Sequence, residues 1–323
     1  MSSLPSRVVA ALAAIALALG LQGCHLGAGT SVLDGSELQA EEQPSLRFVA
    51  LADTKSGTDV LAALSRQAQM LGPAFAIVPG DLESAGFTRS GATAWKKAMD
   101  GDPRGATSDG MFARVLAVRG NHDGHDARGW LSFFEPAERV AAAGGSHYEE
   151  TDGGLSYSFD VANAHFVAVD VPGDVDLMTA AQTAWIDGDL GQAEARGVTH
   201  SFLFWHGPLW GLADHCCGST NPGIVEVFNR HPSVSATFHG HEHVNAWTHI
   251  GRERYPGATR EFEQLVSGRA GAEPVRCLPG RADYCQDERD GFLVVDVKGP
   301  QFTVSFYVLG QAAPVRQLSF SKR

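Results

Sequence analysis

The chain has 323 residues, 44% of them apolar and 19% charged, which suits a globular protein with a substantial core. Its formal net charge is -12 and no run of Lys and Arg stands out. That excludes a surface built to neutralise nucleic-acid phosphates, so no nucleic-acid interface is expected.

Arg7 opens a segment whose residues 8–21 are almost wholly apolar and which ends in Leu21-Gln22-Gly23-Cys24. The run is short for a bilayer span and has the form of the apolar region of an export signal. Its ending resembles the lipobox of bacterial lipoproteins. That resemblance implies a signal peptide over residues 1–23, lipid on Cys24, and export to a bacterial membrane. His25 stands where an Asp would signal inner-membrane retention, so the expected location is the outer membrane, facing the periplasm. Residues 24–44, rich in Gly, Ser, Glu and Gln, are expected to form a flexible tether. Setting Cys24 aside leaves Cys216, Cys217, Cys277 and Cys285. In an oxidising compartment these are expected to form disulfides. A bond between the adjacent Cys216 and Cys217 would strain the intervening peptide, so cross-pairs between the 216–217 and 277–285 loops are expected.

From residue 45 onward strands and helices alternate. Apolar runs at 46–52, 74–78 and 114–118 predict strands, and helical spacing at 58–71 and 88–99 predicts the helices between them. A hairpin is expected at 157–170 around Ala162-Asn163, then a helix at 179–195 and strands at 200–205 and 235–238. Residues 264–267, 292–297 and 302–308 are β-rich, with a turn at Lys298-Gly299-Pro300. The pattern indicates an α/β chain, with helices packed outside layered sheets in one domain over residues 45–310 and a tail at 311–323. The stretches 207–222 and 248–290 show the least regularity and are expected to cap a site.

The apolar runs share an ending. Asp53, Gly80-Asp81, Gly120-Asn121-His122-Asp123, His206 and Gly240-His241-Glu242-His243 each follow one at once or after a single residue. Sites in open α/β sheets lie outside the carboxyl ends of the strands. Imidazole, carboxylate and amide oxygen together suit transition-metal dications. In this order the motifs resemble the signature of the calcineurin-like metallophosphoesterase superfamily, which includes purple acid phosphatases, and the resemblance spans about residues 46 to 310. It implies a four-layer fold, a central β-sandwich flanked by helices. It also implies two metal ions (Mn, Fe or Zn) and a monomer acting on a phosphoester substrate. Asp81 would bridge the ions, Asn121, His206 and His241 would complete one, and Asp53 and His243 would hold the other. His122 and Asp123 would be the catalytic residues, with His122 as general acid, since an imidazole can protonate a leaving alkoxide.

The first motif departs from the family. The usual Asp-x-His reads Asp53-Thr54-Lys55, and the Tyr that replaces this His in purple acid phosphatases would fall at Ser84. The first metal is therefore expected to bind more weakly than the second, with Lys55 turned outward and water filling the gap. In the alternative, Lys55 pairs with Asp53 or binds substrate phosphate. His125, Trp210 and His215 are lesser substrate-contact candidates, and His239 a supporting one. A catalytically weakened scaffold lipoprotein is the competing function.

Overall fold

The computed structural model describes residues 45–55, 57–84, 86–101, 110–171, 178–215 and 221–322. The signal peptide, the tether, Cys24, Cys216 and Cys217 lie outside these residues. Among the described residues no helix is long and apolar enough to cross a membrane.

The elements run β1 (Ser45–Ala50), α1 (Thr58–Gln69), β2 (Phe75–Pro79), α2 (Arg89–Met99), β3 (Val115–Val118), α3 (Ala127–Phe134), α4 (Pro136–Ala142) and β4 (Ser146–Thr151). They continue with β5 (Ser156–Val161), β6 (Ala164–Ala168), α5 (Ala180–Ala195), β7 (His200–Phe204), α6 (Pro222–Arg230) and β8 (Val234–His239). The last are β9 (Asn245–Ile250), β10 (Phe262–Ser267), β11 (Tyr284–Gln286), β12 (Gly291–Lys298), β13 (Gln301–Val308) and β14 (Arg316–Ser321). One sheet has the order β14-β13-β12-β1-β2-β3, the other β11-β9-β10-β8-β7-β6-β5-β4.

The strands' alternation builds four layers. In β1, Phe48 and Ala50 face the other sheet while Val49 faces the helices; in β2, Phe75 and Ile77 alternate with Ala76 and Val78. Between the sheets Phe48, Phe75, Phe166, Phe202 and Phe238 pack together, with Phe48 edge-on to Phe166 at 5.2 Å between ring centroids. Each such buried ring stabilises the sandwich by about 1.5–3 kcal/mol. Outside the first sheet, α1 and α2 bury Leu61, Leu64, Trp95 and Met99. Outside the second, α5 and α6 bury Ile186, Leu190, Ile224 and Phe228. Because the central strands are covered on both faces, they read as continuous apolar runs rather than alternating ones.

Strands β1, β2 and β3 are mutually parallel, as are β6, β7 and β8. Their carboxyl ends supply every candidate ligand: Asp53, Asp81 and Asn121 from one sheet, His206, His241 and His243 from the other.

Three expectations are corrected. Cys277 bonds to Cys285, with Cα atoms 6.1 Å apart, so cross-pairing with the 216–217 loop does not occur. The two loops are joined by backbone instead: Leu278 N donates to Leu212 O and Asp214 N to Arg276 O. Residues 316–321, expected to lie in a tail, form β14 and pair with β13 along its length. Their side chains are mostly exposed, as on an edge strand, so they lack an apolar run. Within 207–222 and 248–290 the chain forms the second half of β9, all of β10 and β11, and the start of α6.

Candidate metal centre

The strand ends are held in backbone conformations that side chains seldom adopt. Asp53, Asp81 and His241 have φ of 53°, 57° and 67°. Each such residue costs about 1–3 kcal/mol, and the cost turns three ligands inward. Two glycines permit the approach: a Cβ at Gly120 would collide with Asp81 Oδ1, and one at Gly240 with Asp53 Oδ2. Asp53 Oδ2 accepts the His241 amide at 2.8 Å, and Asp81 Oδ1 accepts the His122 amide at 2.9 Å. The first bond ties a loop of one sheet to a loop of the other, and the second ties two neighbouring loops of the first sheet.

What results is a buried cluster of acceptors. Ligand atoms of Asp53, Asp81 and His206 all lie within 4.8 Å of one another. His206 Nδ1 donates to Pro79 O at 2.8 Å, leaving the Nε2 lone pair facing Asn121 Oδ1 at 2.8 Å and Asp81 Oδ1 at 3.5 Å. His241 Nδ1 lies 3.3 Å from the same Asn121 oxygen. His243 Nδ1 donates to Glu273 O at 2.8 Å, so its Nε2 faces Asp53 Oδ1 at 3.7 Å, acceptor to acceptor. Asp53 Oδ1, Asp81 Oδ2 and His243 Nε2 are buried without a hydrogen-bond donor. Backbone carbonyls that fix the tautomer of a ligating His are the usual support of a metal site. Buried lone pairs aimed at one another need positive charge.

The electrostatics agree. Burial, together with Asp81, pushes the Asp53 carboxyl well up. Burial alone would raise Asp81 too, but His206, the His122 amide and Lys55 hold it below its ordinary value. Burial depresses His206, and burial with Lys55 brings His243 down to about 3. The imidazoles are therefore neutral, as ligands must be. On the side formed by Asp81, Asn121, His206 and His241, the donor set suits a divalent transition metal. The side formed by Asp53, Asp81 and His243 offers three protein ligands.

Lys55 corrects the expectation of an outward side chain. Its Nζ lies 3.2 Å from Asp81 Oδ2, and the side chain is only 14% exposed. The pairing is with Asp81, not Asp53. Asp123 is corrected as well. It is 2% exposed and accepts the amides of Asp81, Gly120 and Leu82 at 2.8, 2.8 and 2.9 Å. Burial beside Asp81 raises its carboxyl to about 7, against the pull of those amides. It positions the second and third motif loops beneath the ligands.

His122 stands at the mouth, with its side chain 38% exposed and Nε2 4.0 Å from Asp81 Oδ2. Its Nδ1 is 3.0 Å from Ser84 O, a carbonyl that can only accept. The His215 ring packs against those of His241 and His243, 4.9 Å from each. Trp210 is pinned under Arg281 at 3.9 Å, with its indole N–H donating to Arg281 O. His125 is exposed at the turn into α3 and makes no ring or side-chain hydrogen-bond contact with the cluster among the described residues. His239 is buried behind the site, with Nε2 on Thr237 Oγ1 and Nδ1 on Trp205 O.

One supporting residue escapes a sequence search for ligands. Glu242, fully buried between the two imidazoles of its motif, accepts the Leu212 amide at 2.7 and 2.9 Å and so fixes the loop over the site. Its position inside Gly-His-x-His is the only sequence signal.

Comparison with solved structures finds the same fold. A purple acid phosphatase from yellow lupin (Lupinus luteus) seeds aligns with a TM-score of 0.61 and 14% identity, over 87% of this chain and 54% of the lupin protein. The chain thus spans about half the length of that phosphatase. A dimetal phosphatase from Danio rerio aligns with a TM-score of 0.59 and 15% identity, over 86% of this chain and 99% of that one. GAP50, the anchor in the inner membrane complex of Plasmodium, aligns at 0.58 and 13%, over 86% and 89%. No curated protein matches the sequence. The sequence profile of the calcineurin-like phosphoesterases matches residues 46–245, more than half of the chain. The chain belongs to the calcineurin-like phosphoesterase family.

Proposed function

We propose that the chain is a hydrolase of phosphomonoesters or phosphodiesters. The observation that carries this is the buried meeting of Asp81 Oδ1, Asn121 Oδ1, His206 Nε2 and His241 Nδ1, with the His206 N–H given to the Pro79 carbonyl, beside the partly exposed imidazole of His122. A dication bound there supplies Lewis acidity and a water of lowered pKa. Asp81, Asn121, His206 and His241 would hold it, each oriented by a backbone or side-chain contact already in place. His122 acts as the proton donor to the leaving oxygen. The Ser84 carbonyl holds its Nδ1–H, which turns Nε2 toward the cluster and the space above it. Asp123 keeps the two loops in register. The fold also serves an anchor in another organism, so activity rests on these side chains rather than on the architecture.

The test is hydrolysis of a chromogenic phosphomonoester and a phosphodiester with added manganese. The unsubstituted chain should turn over at least one ester, and His122→Ala should lower kcat by about 10²- to 10⁴-fold with metal content unchanged. Absence of turnover with both esters would leave the scaffold function. The proposal extends to location: export, cleavage before Cys24 and anchoring by lipid at that residue, as the Leu21-Gln22-Gly23-Cys24 ending supports. Membrane association retained by Cys24→Ser would refute that part.

A further inference from the structure

We propose that the Lys55 ammonium is a built-in cation standing in the place of the family's first metal, so that the centre holds a single ion. This rests on the proposed metal-dependent function. The backbone of Lys55 is turned for the purpose. Its φ is 37°, its amide donates to Asp81 O at 3.2 Å, and its carbonyl accepts Ser84 Oγ at 2.8 Å. Both ends of the residue are thereby tied to the loop that carries Asp81. The ammonium then lies 3.2 Å from Asp81 Oδ2, one of the oxygens buried without a hydrogen-bond donor.

Three acceptors meet on this side: Asp53 Oδ1, Asp81 Oδ2 and His243 Nε2. They need positive charge, and Lys55 brings it covalently. An ammonium has three donors and no lone pair, so it can satisfy oxygens and an imidazole nitrogen but cannot ligate a metal. A dication placed among the same three atoms would sit against a fixed like charge. The residues that complete this side in the family, a His in the first motif or a Tyr after the second, are Lys55 and Ser84 here. The Ser84 hydroxyl already donates to the Lys55 carbonyl. On the opposite side Asn121, His206 and His241 gather beside Asp81 Oδ1, whereas Lys55 pairs with Asp81 Oδ2.

Equilibrium dialysis against manganese, followed by elemental analysis and electron paramagnetic resonance, tests this without reference to turnover. The unsubstituted chain should retain about one ion with the spectrum of an isolated manganese. Lys55→His, which exchanges the ammonium for an imidazole, should retain about two with the spectrum of an exchange-coupled pair. Lys55→Met removes the charge without adding a ligand, and should bind a second ion at least tenfold more weakly than Lys55→His. Two tightly held ions in the unsubstituted chain would overturn the inference while leaving the proposed function standing. So would a folded Lys55→His that stays at one ion. No bound ion in the unsubstituted chain would overturn the proposed function itself. Should Lys55→His fail to fold, the stoichiometry of the unsubstituted chain and of Lys55→Met decides.

Discussion

Two buried clusters in this molecule are built from the same residue types and end in opposite states. Behind the second sheet, His165 lies between two carboxylates, with Nδ1 2.7 Å from Asp160 Oδ1 and Nε2 2.9 Å from Asp189 Oδ2. Arg196 closes the group with two bonds to Asp160, at 2.7 and 3.0 Å. Both ring nitrogens of His165 meet a carboxylate oxygen. At the strand ends, His206 and His243 give their N–H groups to backbone carbonyls and turn lone pairs toward carboxylate and amide oxygens. The first cluster is complete as a set of ion pairs. The second is complete only with added positive charge. Histidine and aspartate in proximity therefore do not mark a metal site; the direction in which the backbone fixes each imidazole does.

The contrast can be broken most forcefully at Asp160. Asp160→Ala leaves the buried His165 Nδ1 without its acceptor and frees Arg196, and should cost about 1–3 kcal/mol in urea unfolding, while manganese binding to the folded protein stays unchanged. A loss of metal affinity with full stability would mean the clusters are not independent. Next in size is Asp123→Asn, which weakens the amide contacts under the ligands. Metal affinity or turnover should fall by about 10- to 100-fold with little change in fold; an unchanged value for both would remove its positioning role. The sign reverses at Asp53. In the presence of a chelator, Asp53→Asn removes a buried charge beside Asp81 and offers an N–H toward His243 Nε2. It should stabilise the protein by about 0.5–2 kcal/mol while lowering metal affinity. A destabilised variant would show that the acceptors are already satisfied.

The smallest effect is the dependence of stability on pH, and it differs in sign between the clusters. Burial opposes the charge on His165, but Asp160 and Asp189 prevail and its pKa is raised. Its contribution is complete below the unfolded value of about 6.5 and is lost as pH rises through the folded one. His243 is depressed to about 3 by burial and Lys55. In metal-free protein its contribution is present above about 6.5 and is lost as pH falls toward the folded value. Denaturation midpoints across this range should lose their alkaline decline in His165→Gln and part of their acid decline in His243→Gln. Identical profiles for the two variants would erase the distinction.

The legible part of the site was its chemistry. A central strand covered on both faces is largely apolar, so the polar residues just after it stand out, and Asp53, Asp81, Asn121, His206 and His241 are legible that way. Elements lacking such a run were missed. β4 reads Ser-His-Tyr-Glu-Glu-Thr and is largely exposed. α4 is a seven-residue helix begun by Pro136. The disulfide was misassigned because loop proximity is set by backbone pairing between Leu212 and Leu278, which leaves no mark on the spacing of the cysteines.

By itself the sequence determined the central strands, the helices α1, α2 and α5, the ligand types and their motifs, because burial and strand ends impose local patterns. Only the tertiary structure decided where Lys55 points, what Asp123 holds and which acceptors are left facing one another. Those outcomes depend on backbone angles at Asp53, Lys55 and Asp81, and on contacts between loops of two different sheets. No local pattern encodes the meeting of Asp53 with His241, which stand 188 residues apart in the chain.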